Sequence, residues 1–364
     1  MSIPVYRPDL TELETRYVNE CMSSTWISSK GAFIDRFEEA FETHTGIEHA
    51  ISVSNGTVAL HLCMVALGIG PGDEVIVPSL TYIASVNCIL QVGATPVYVD
   101  SDLATWQMDV SDVEKQISPR TKAIMAVHLY GLPCDMEKIS SICHRYNLRL
   151  IEDCAEAFGT YFRGRHVGTF GDVATFSFFG NKTITTGEGG MVTTSSSELA
   201  EKIFHLKNQG VSKNREYWHD GVAYNYRMTN LAAAIGLAQI QRSADILQRK
   251  RQLALFYENK LRDLPLTFHA EVDDTIHSFW MCSIMVDALA TRENLRNFLR
   301  ERGIETRPAF FPAHTLPHTY QAVMLPNSKE ISERALNLPS FPTITPNERA
   351  RVVDSIRDFF CGTL

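Results

Sequence analysis

Between His49 and about Val192 the chain alternates short runs of β-forming residues with amphipathic helical stretches, and no other feature constrains its fold as tightly. The candidate strands are HAISV, DEVIVP, TPVYVD, KAIMAVHLY, LRLIED and VATFSF, with helices such as TVALHLCMVALG and DMEKISSICHRYN between them. Strands that are apolar nearly throughout, each followed by a helix, predict a mostly parallel sheet covered on both faces, an α/β architecture. After AYNYRMTNLAAAIG, the residues Leu237, Ile240, Ala244, Leu247, Ala254, Tyr257 and Leu261 recur at steps of three, four or seven, which predicts one long helical connector. The remainder mixes an apolar strand, HSFWMCSIMVD, a helix beginning near Thr291, and a last helix opened by TPNE. In that opening Thr345 can cap, Pro346 suits the first turn and Glu348 completes a capping box. The 364 residues exceed what one core usually serves. The expected division is a large domain over 1–245 and a smaller α+β domain over 246–364.

A net charge of -8 with no basic run argues against nucleic acid or an anionic membrane as the main partner. No apolar run approaches the roughly 18 residues of a membrane span. The opening MSIPVYRPDL lacks a basic segment followed by an apolar one, so a soluble, cytoplasmic protein is expected. The eight cysteines are scattered without the spacing of a zinc or redox pair; they read as reduced core residues, and no metal is expected.

In α/β sheets ligands bind where strands end, so residues just past each strand come first. SVSNGTVALHL runs from a strand through Gly56 and Thr57 directly into a helix. Its free N–H groups and positive helix end suit a phosphate, or else form an ordinary N-cap. In LIEDCAEAFG, Asp153 ends an apolar strand and needs a cationic partner there, either a protonated ring nitrogen or an Arg or Lys elsewhere in the chain. Lys182, in TFSFFGNKTITTGEGGMVTT, follows a strand and precedes a glycine-rich turn. A partly desolvated lysine there would be a nucleophile for a Schiff base; the alternative is a solvated surface charge. Tyr82, in VPSLTYIASVN, either stacks on a flat ligand or packs a helix. A phosphate cup, a carboxylate, a lysine and an aromatic together describe a pocket for pyridoxal 5'-phosphate (PLP).

The succession SNGTVAL, VPSLTYIAS, VHLYGLPCDM, IEDCAEAFG, FSFFGNKTITTGEGGMV, YNYRMTNLAAAIG and NLPSFP resembles the DegT-type sugar-nucleotide aminotransferases, from IPVYRPDL to the last helix. The resemblance implies PLP-dependent transferase fold type I, like aspartate aminotransferase, in a homodimer with active sites at the subunit interface. It implies Lys182 as the Schiff-base lysine, Asp153 as partner of the pyridine nitrogen, and Glu156 beside the ring face or its hydroxyl. Gly56, Thr57 and Ser177 would hold the phosphate with Asn225 of the other subunit, and Tyr82 would stack on the ring. Many relatives carry Gln or His in place of Glu156, and a histidine two or three residues before the lysine where this chain reads FFGNK. These departures match the perosamine-forming subgroup. A related branch, the deoxysugar 3-dehydratases, replaces the lysine with histidine and eliminates water, so Lys182 argues for transamination.

The implied reaction takes the amino group of L-glutamate, releasing 2-oxoglutarate, and delivers it to GDP-4-keto-6-deoxy-D-mannose. The setting it implies is bacterial O-antigen or a related surface polysaccharide. Lys30, Arg307 and His314 are candidates to meet the substrate's diphosphate. A UDP- or dTDP-linked ketosugar is the alternative substrate. A catalytically idle sugar-nucleotide sensor is the alternative function.

Overall fold

The computed structural model describes residues 2–362. Seven strands form the central sheet: β1 (His49–Val53), β2 (Glu74–Pro78), β3 (Thr95–Val99), β4 (Thr121–Val127), β5 (Arg149–Asp153), β6 (Val173–Ser177) and β7 (Gly190–Thr194). Their order is β1-β7-β6-β5-β4-β2-β3. All neighbours are parallel except the pairs made by β7, which runs against both β1 and β6. Six of the seven strands coincide with the apolar runs of the sequence; β7 is the addition.

Alternation along each strand sends successive side chains to opposite faces. Val75, Val77, Met125, Val127, Ile151 and Val173 pack one face with the helices Gly56–Ala66 and Ala84–Gln91. Ile76, Ile124, Ala126 and Leu150 pack the other with the helix Met136–Tyr146. The same parity puts Asp153, Thr175 and Ser177 on the face of the Gly56 helix, and Glu152 opposite.

The expected long connector is two helices, Asn230–Gln241 and Ser243–Leu261, broken at Arg242 with φ -106° and ψ 2°. Ion pairs fix the break: Arg242 reaches Asp9 and Glu14 at 2.9 Å each, and Asp9 also meets Arg249 at 2.5 Å. Such partners lie far away in sequence, where periodicity does not register them. Beyond, an antiparallel sheet of β8 (Thr267–Phe268), β9 (Cys282–Met285), β10 (Arg307–Pro308) and β11 (Ala335–Leu338), in the order β8-β9-β11-β10, packs with the helices Ser243–Leu261, Leu289–Glu301 and Pro346–Cys361. The last helix has the expected capping box, Thr345 Oγ1 accepting from Glu348 N at 3.2 Å and Glu348 Oε2 accepting from Thr345 N at 2.8 Å.

The first residues run beside this C-terminal sheet. Ile3 bridges to Ile304, and Val5 O accepts from Ser340 N at 2.9 Å. Seven cysteines are buried and unpaired as expected, whereas Cys361, in the last turn of the last helix, is exposed. Among the described residues no helix is long and apolar enough to cross a membrane.

Candidate active site

The carboxyl edge of β1, β5 and β6 gathers most of the residues singled out in the sequence. Asp153 ends β5 and is buried, held by Ser85 Oγ donating to Oδ2 at 2.7 Å and by the Ala155 amide donating to Oδ1 at 3.0 Å. Lys182 lies beyond β6 with its side chain only 13% exposed, Nζ 3.8 Å from Glu156 Oε1 and 3.9 Å from the centre of the Trp280 ring. Burial lowers its pKa, with Glu156 and Asp153 opposing that shift. The reverse holds for Glu156: burial pushes it up to about 7, only partly offset by Lys182 and by the Tyr130 amide, which donates to Oε2 at 2.8 Å. Both shifts reflect the cost of charge in a dry pocket.

Backbone geometry sets this pair. Tyr130 is buried in a left-handed conformation, φ 56° and ψ 10°, unusual for a bulky residue and common at functional sites. That turn aims its N–H at Glu156. Gly131 follows at φ 99°, where a Cβ would lie 2.4 Å from Ser278 Oγ.

The candidate phosphate cup is equally specific. Asn55 caps the helix Gly56–Ala66, its side chain accepting from Val58 N at 3.0 Å. Gly56 and Thr57 stand in the first turn, where amides have no intrahelical acceptor and the helix end is positive. A Cβ at Gly56 would sit 2.8 Å from Ser177 Cβ, so the absent side chain is what lets β6 approach. Thr175 Oγ1 and Thr183 Oγ1 are buried without a hydrogen-bond partner among the described residues. The chemistry fits PLP: free amides and a hydroxyl for a phosphate, a buried carboxylate for a ring nitrogen, an amine with lowered proton affinity for the aldehyde.

The remaining candidates are more dispersed. Tyr82 is 57% exposed with its ring 5.7 Å from that of Phe310. Asn225 is exposed between Tyr224 and Tyr226, which turn inward, stack on each other at 4.7 Å and meet His61 edge-on. Ser54 N donates to Tyr226 O at 2.8 Å, so this segment runs beside the cup. Lys30 is exposed on the loop between the helices Glu12–Ser24 and Ala32–Thr45. Arg307 is exposed and pairs with Glu305 at 3.2 Å. His314 is buried, its Nδ1 2.6 Å from Ser79 Oγ, and burial lowers its pKa. No hydrogen bond or ion pair among the described residues joins Lys30, Arg307 or His314 to Lys182, Asp153 or Glu156.

The structure adds residues the sequence did not announce. Tyr6 donates its hydroxyl to Lys182 O at 2.8 Å, and Trp280 Nε1 donates to Asn181 O at 2.7 Å. Nothing in the local pattern of either marks it. Ser85, three residues past Tyr82 in TYIAS, was findable as a hydroxyl opening a helix at a strand end. On the opposite sheet face, His128, Glu152 and Cys154 cluster as metal ligands could. Their capacity is spent on structure: Glu152 accepts from the amides of Gly168, Phe170 and Gly171 and meets His128 Nε2 at 3.2 Å, while His128 Nδ1 accepts from Cys134 N.

The model of the DegT/DnrJ/EryC1/StrS aminotransferase family matches residues 8–357. The chain belongs to that family. GDP-perosamine synthase of Escherichia coli O157:H7 is 54% identical over 98% of both chains, and that of Vibrio cholerae 50% identical over 98% of this chain and 99% of the other. Among solved structures, the aminotransferase TlmJ from Streptoalloteichus hindustanus superposes with a TM-score of 0.95 at 31% identity, covering 99% of each chain. Spr1654 of Streptococcus pneumoniae, solved in its PLP form, gives 0.95 at 27% identity with full coverage of both. The large mostly parallel sheet is thus that of PLP-dependent transferase fold type I.

Proposed function

We propose that this aminotransferase makes GDP-perosamine from GDP-4-keto-6-deoxy-D-mannose, with L-glutamate as amino donor and PLP as cofactor. The observation that carries the reading is the amine of Lys182, nearly closed off from water 3.8 Å from Glu156, at the sheet edge where Asp153 and the Gly56–Ser177 cup also lie. The choice of sugar is supported by the relatives at 54% and 50% identity that carry the GDP-perosamine synthase name.

When bound, PLP supplies an electron sink for the carbon that gives up its proton. The chain supplies the rest. Gly56, Thr57 and Ser177 would hold the phosphate, Asp153 would keep a proton on the ring nitrogen, and Tyr82 and Glu156 would meet the ring. Lys182 Nζ moves the proton. With its proton affinity lowered by burial, the amine can take the proton from the α carbon of glutamate and, in the second half-reaction, return one to C4 of the sugar. Trp280 and Tyr6 hold the lysine segment and keep water off it.

The reading includes a homodimer. Asn225, turned outward while Tyr224 and Tyr226 pack inward, suits a role at the partner's phosphate. It also includes large and small domains meeting near residue 245. Lys30 and Arg307 are exposed and can meet the dianionic diphosphate. His314, held neutral by burial, can offer that ligand only an uncharged contact. The setting is cytoplasmic, feeding an amino sugar to a surface polysaccharide such as O-antigen.

The test incubates purified protein with L-glutamate and GDP-, UDP- and dTDP-linked 4-keto-6-deoxy sugars, with products read by mass spectrometry. GDP-perosamine is expected. A product only from a UDP or dTDP sugar refutes the sugar assignment. A visible absorption band that glutamate fails to bleach refutes the enzyme in favour of the idle sensor.

A further inference from the structure

Behind Asp153 stands a short chain of hydroxyls. Ser85 Oγ lies 2.7 Å from Asp153 Oδ2, and Thr81 Oγ1 lies 2.9 Å from Ser85 Oγ. All three side chains are buried. Counting protons gives the chain its direction. A carboxylate only accepts, so the single hydroxyl proton of Ser85 is committed to Asp153. The Ser85 oxygen is then the acceptor for Thr81, whose other possible acceptor, Tyr82 O, is farther away at 3.3 Å. Donation therefore runs Thr81 to Ser85 to Asp153.

The local fold makes this chain stiff. Ser85 N donates to Tyr82 O at 3.2 Å and Val86 N to Ile83 O at 3.1 Å, closing the first turn of the helix Ala84–Gln91. The single segment TYIAS thus carries both the candidate ring-stacking Tyr82 and the two hydroxyls.

We propose that Ser85, backed by Thr81, is a positioning residue for Asp153, holding the carboxylate oriented so that PLP is retained. The proposal rests on the reading that Asp153 faces the ring nitrogen. Hydrogen bonds to an ionised group are the strong ones, and linked bonds in a low-dielectric interior reinforce one another. Other titratable groups that act on or feel Asp153 are Lys182, Glu156, Cys63, Cys88 and Cys154. Burial raises all three thiols, which therefore stay protonated, leaving Lys182 and Glu156 as the charges to account for.

The test measures PLP release from full-length holoenzyme by equilibrium dialysis between pH 6 and 8.5, with the melting temperature of each stripped variant as a folding control. Ser85→Ala is expected to weaken retention about ten-fold or more, the scale of one hydrogen bond to a charged group. Thr81→Val should give a smaller loss and Thr81→Ser none. The double variant Thr81→Val with Ser85→Ala should be no weaker than Ser85→Ala, since Thr81 acts through Ser85.

Wild-type retention in Ser85→Ala at every pH, or additive losses in the double variant, overturns the proposal. Asp153→Asn separates the two readings. If it loosens PLP while Ser85→Ala does not, only this proposal fails; if neither loosens it, the placement of Asp153 fails as well. Should Ser85→Ala not fold, Thr81→Val decides alone, and wild-type retention there overturns the proposal.

Discussion

Replacing Gly56 by alanine probes the phosphate cup with a single methyl group. The added Cβ would lie 2.8 Å from Ser177 Cβ, 3.2 Å from its Oγ and 3.4 Å from its Cα. Carbon atoms attract best at about 3.5–4.0 Å, so the helix start and β6 must separate by roughly half an ångström or more. Rotating Ser177 cannot relieve the contact, because Cβ moves only with the backbone of β6. Forcing a methyl into such a site costs about 1–3 kcal/mol. Helix propensity opposes this, since alanine is better than glycine by about 1 kcal/mol in a helix interior, and this first-turn position gains less. Overpacking wins, by up to about 2–3 kcal/mol in the fold.

The cup should suffer more than the fold, because both displaced residues are proposed to hold the phosphate. At about 1.4 kcal/mol per decade, Gly56→Ala should bind PLP about ten- to a hundred-fold more weakly. Equilibrium titration of stripped protein measures this, with pyridoxal, which lacks the phosphate, as control ligand. Pyridoxal affinity should stay near wild type. Unchanged PLP affinity, or an equal loss for pyridoxal, would refute the assignment of Gly56 and Ser177 to the phosphate.

Lys182→Ala should abolish transamination and leave no PLP fixed to the chain after borohydride reduction; label found on another lysine by peptide mapping contradicts the site. For Glu156 the folded-state pKa of about 7 exceeds the ordinary 4.5, so the folded protein holds this proton more tightly than the unfolded chain does. Stability of stripped protein should therefore fall as pH rises from about 5 to about 7, and Glu156→Gln should flatten that slope in a melting series. Lys182, lowered from 10.5, acts in the opposite sense but in the more alkaline range. Asn225→Ala should release PLP more readily on dialysis while its melting temperature stays near wild type; unchanged retention contradicts a role at the partner's phosphate.

The strands HAISV and LRLIED could be read to the residue or nearly so, because a strand buried on both faces leaves a continuous apolar run. GMVTT was missed since its first residues belong to a glycine-rich turn, and apolar patterning does not report strand direction. For the candidate site, the placing of Gly56, Asp153 and Lys182 at one sheet edge was legible because each lies at or just past the end of an apolar strand. Tyr6, Trp280 and the Tyr130 amide were not, because they reach the lysine pocket from segments that only the folded chain brings near it. Arg307 shows the converse: a cation in suggestive surroundings, ETRPAFFPAH, that pairs with its neighbour Glu305.

The reversed strand explains why the lysine lies where it does. Had the chain left β6 for another parallel strand, it would have needed a crossover back to the opposite edge of the sheet, carrying residues 178–189 away from the strand ends. Because β7 is antiparallel, those residues turn back at the carboxyl edge, with Ser177 and Val53 both opposite Gly190. Gly190 then seals the arrangement. A Cβ there would lie 2.6 Å from the backbone carbonyl of Asn55 and 2.9 Å from Gly56 N, so the return of the lysine segment is packed, backbone against backbone, on the start of the helix Gly56–Ala66. The spacing between Lys182 and the cup is thus set by main-chain contacts that have little freedom to adjust. A side chain at position 190 would alter that spacing by pressing directly on the main chain of Asn55 and Gly56.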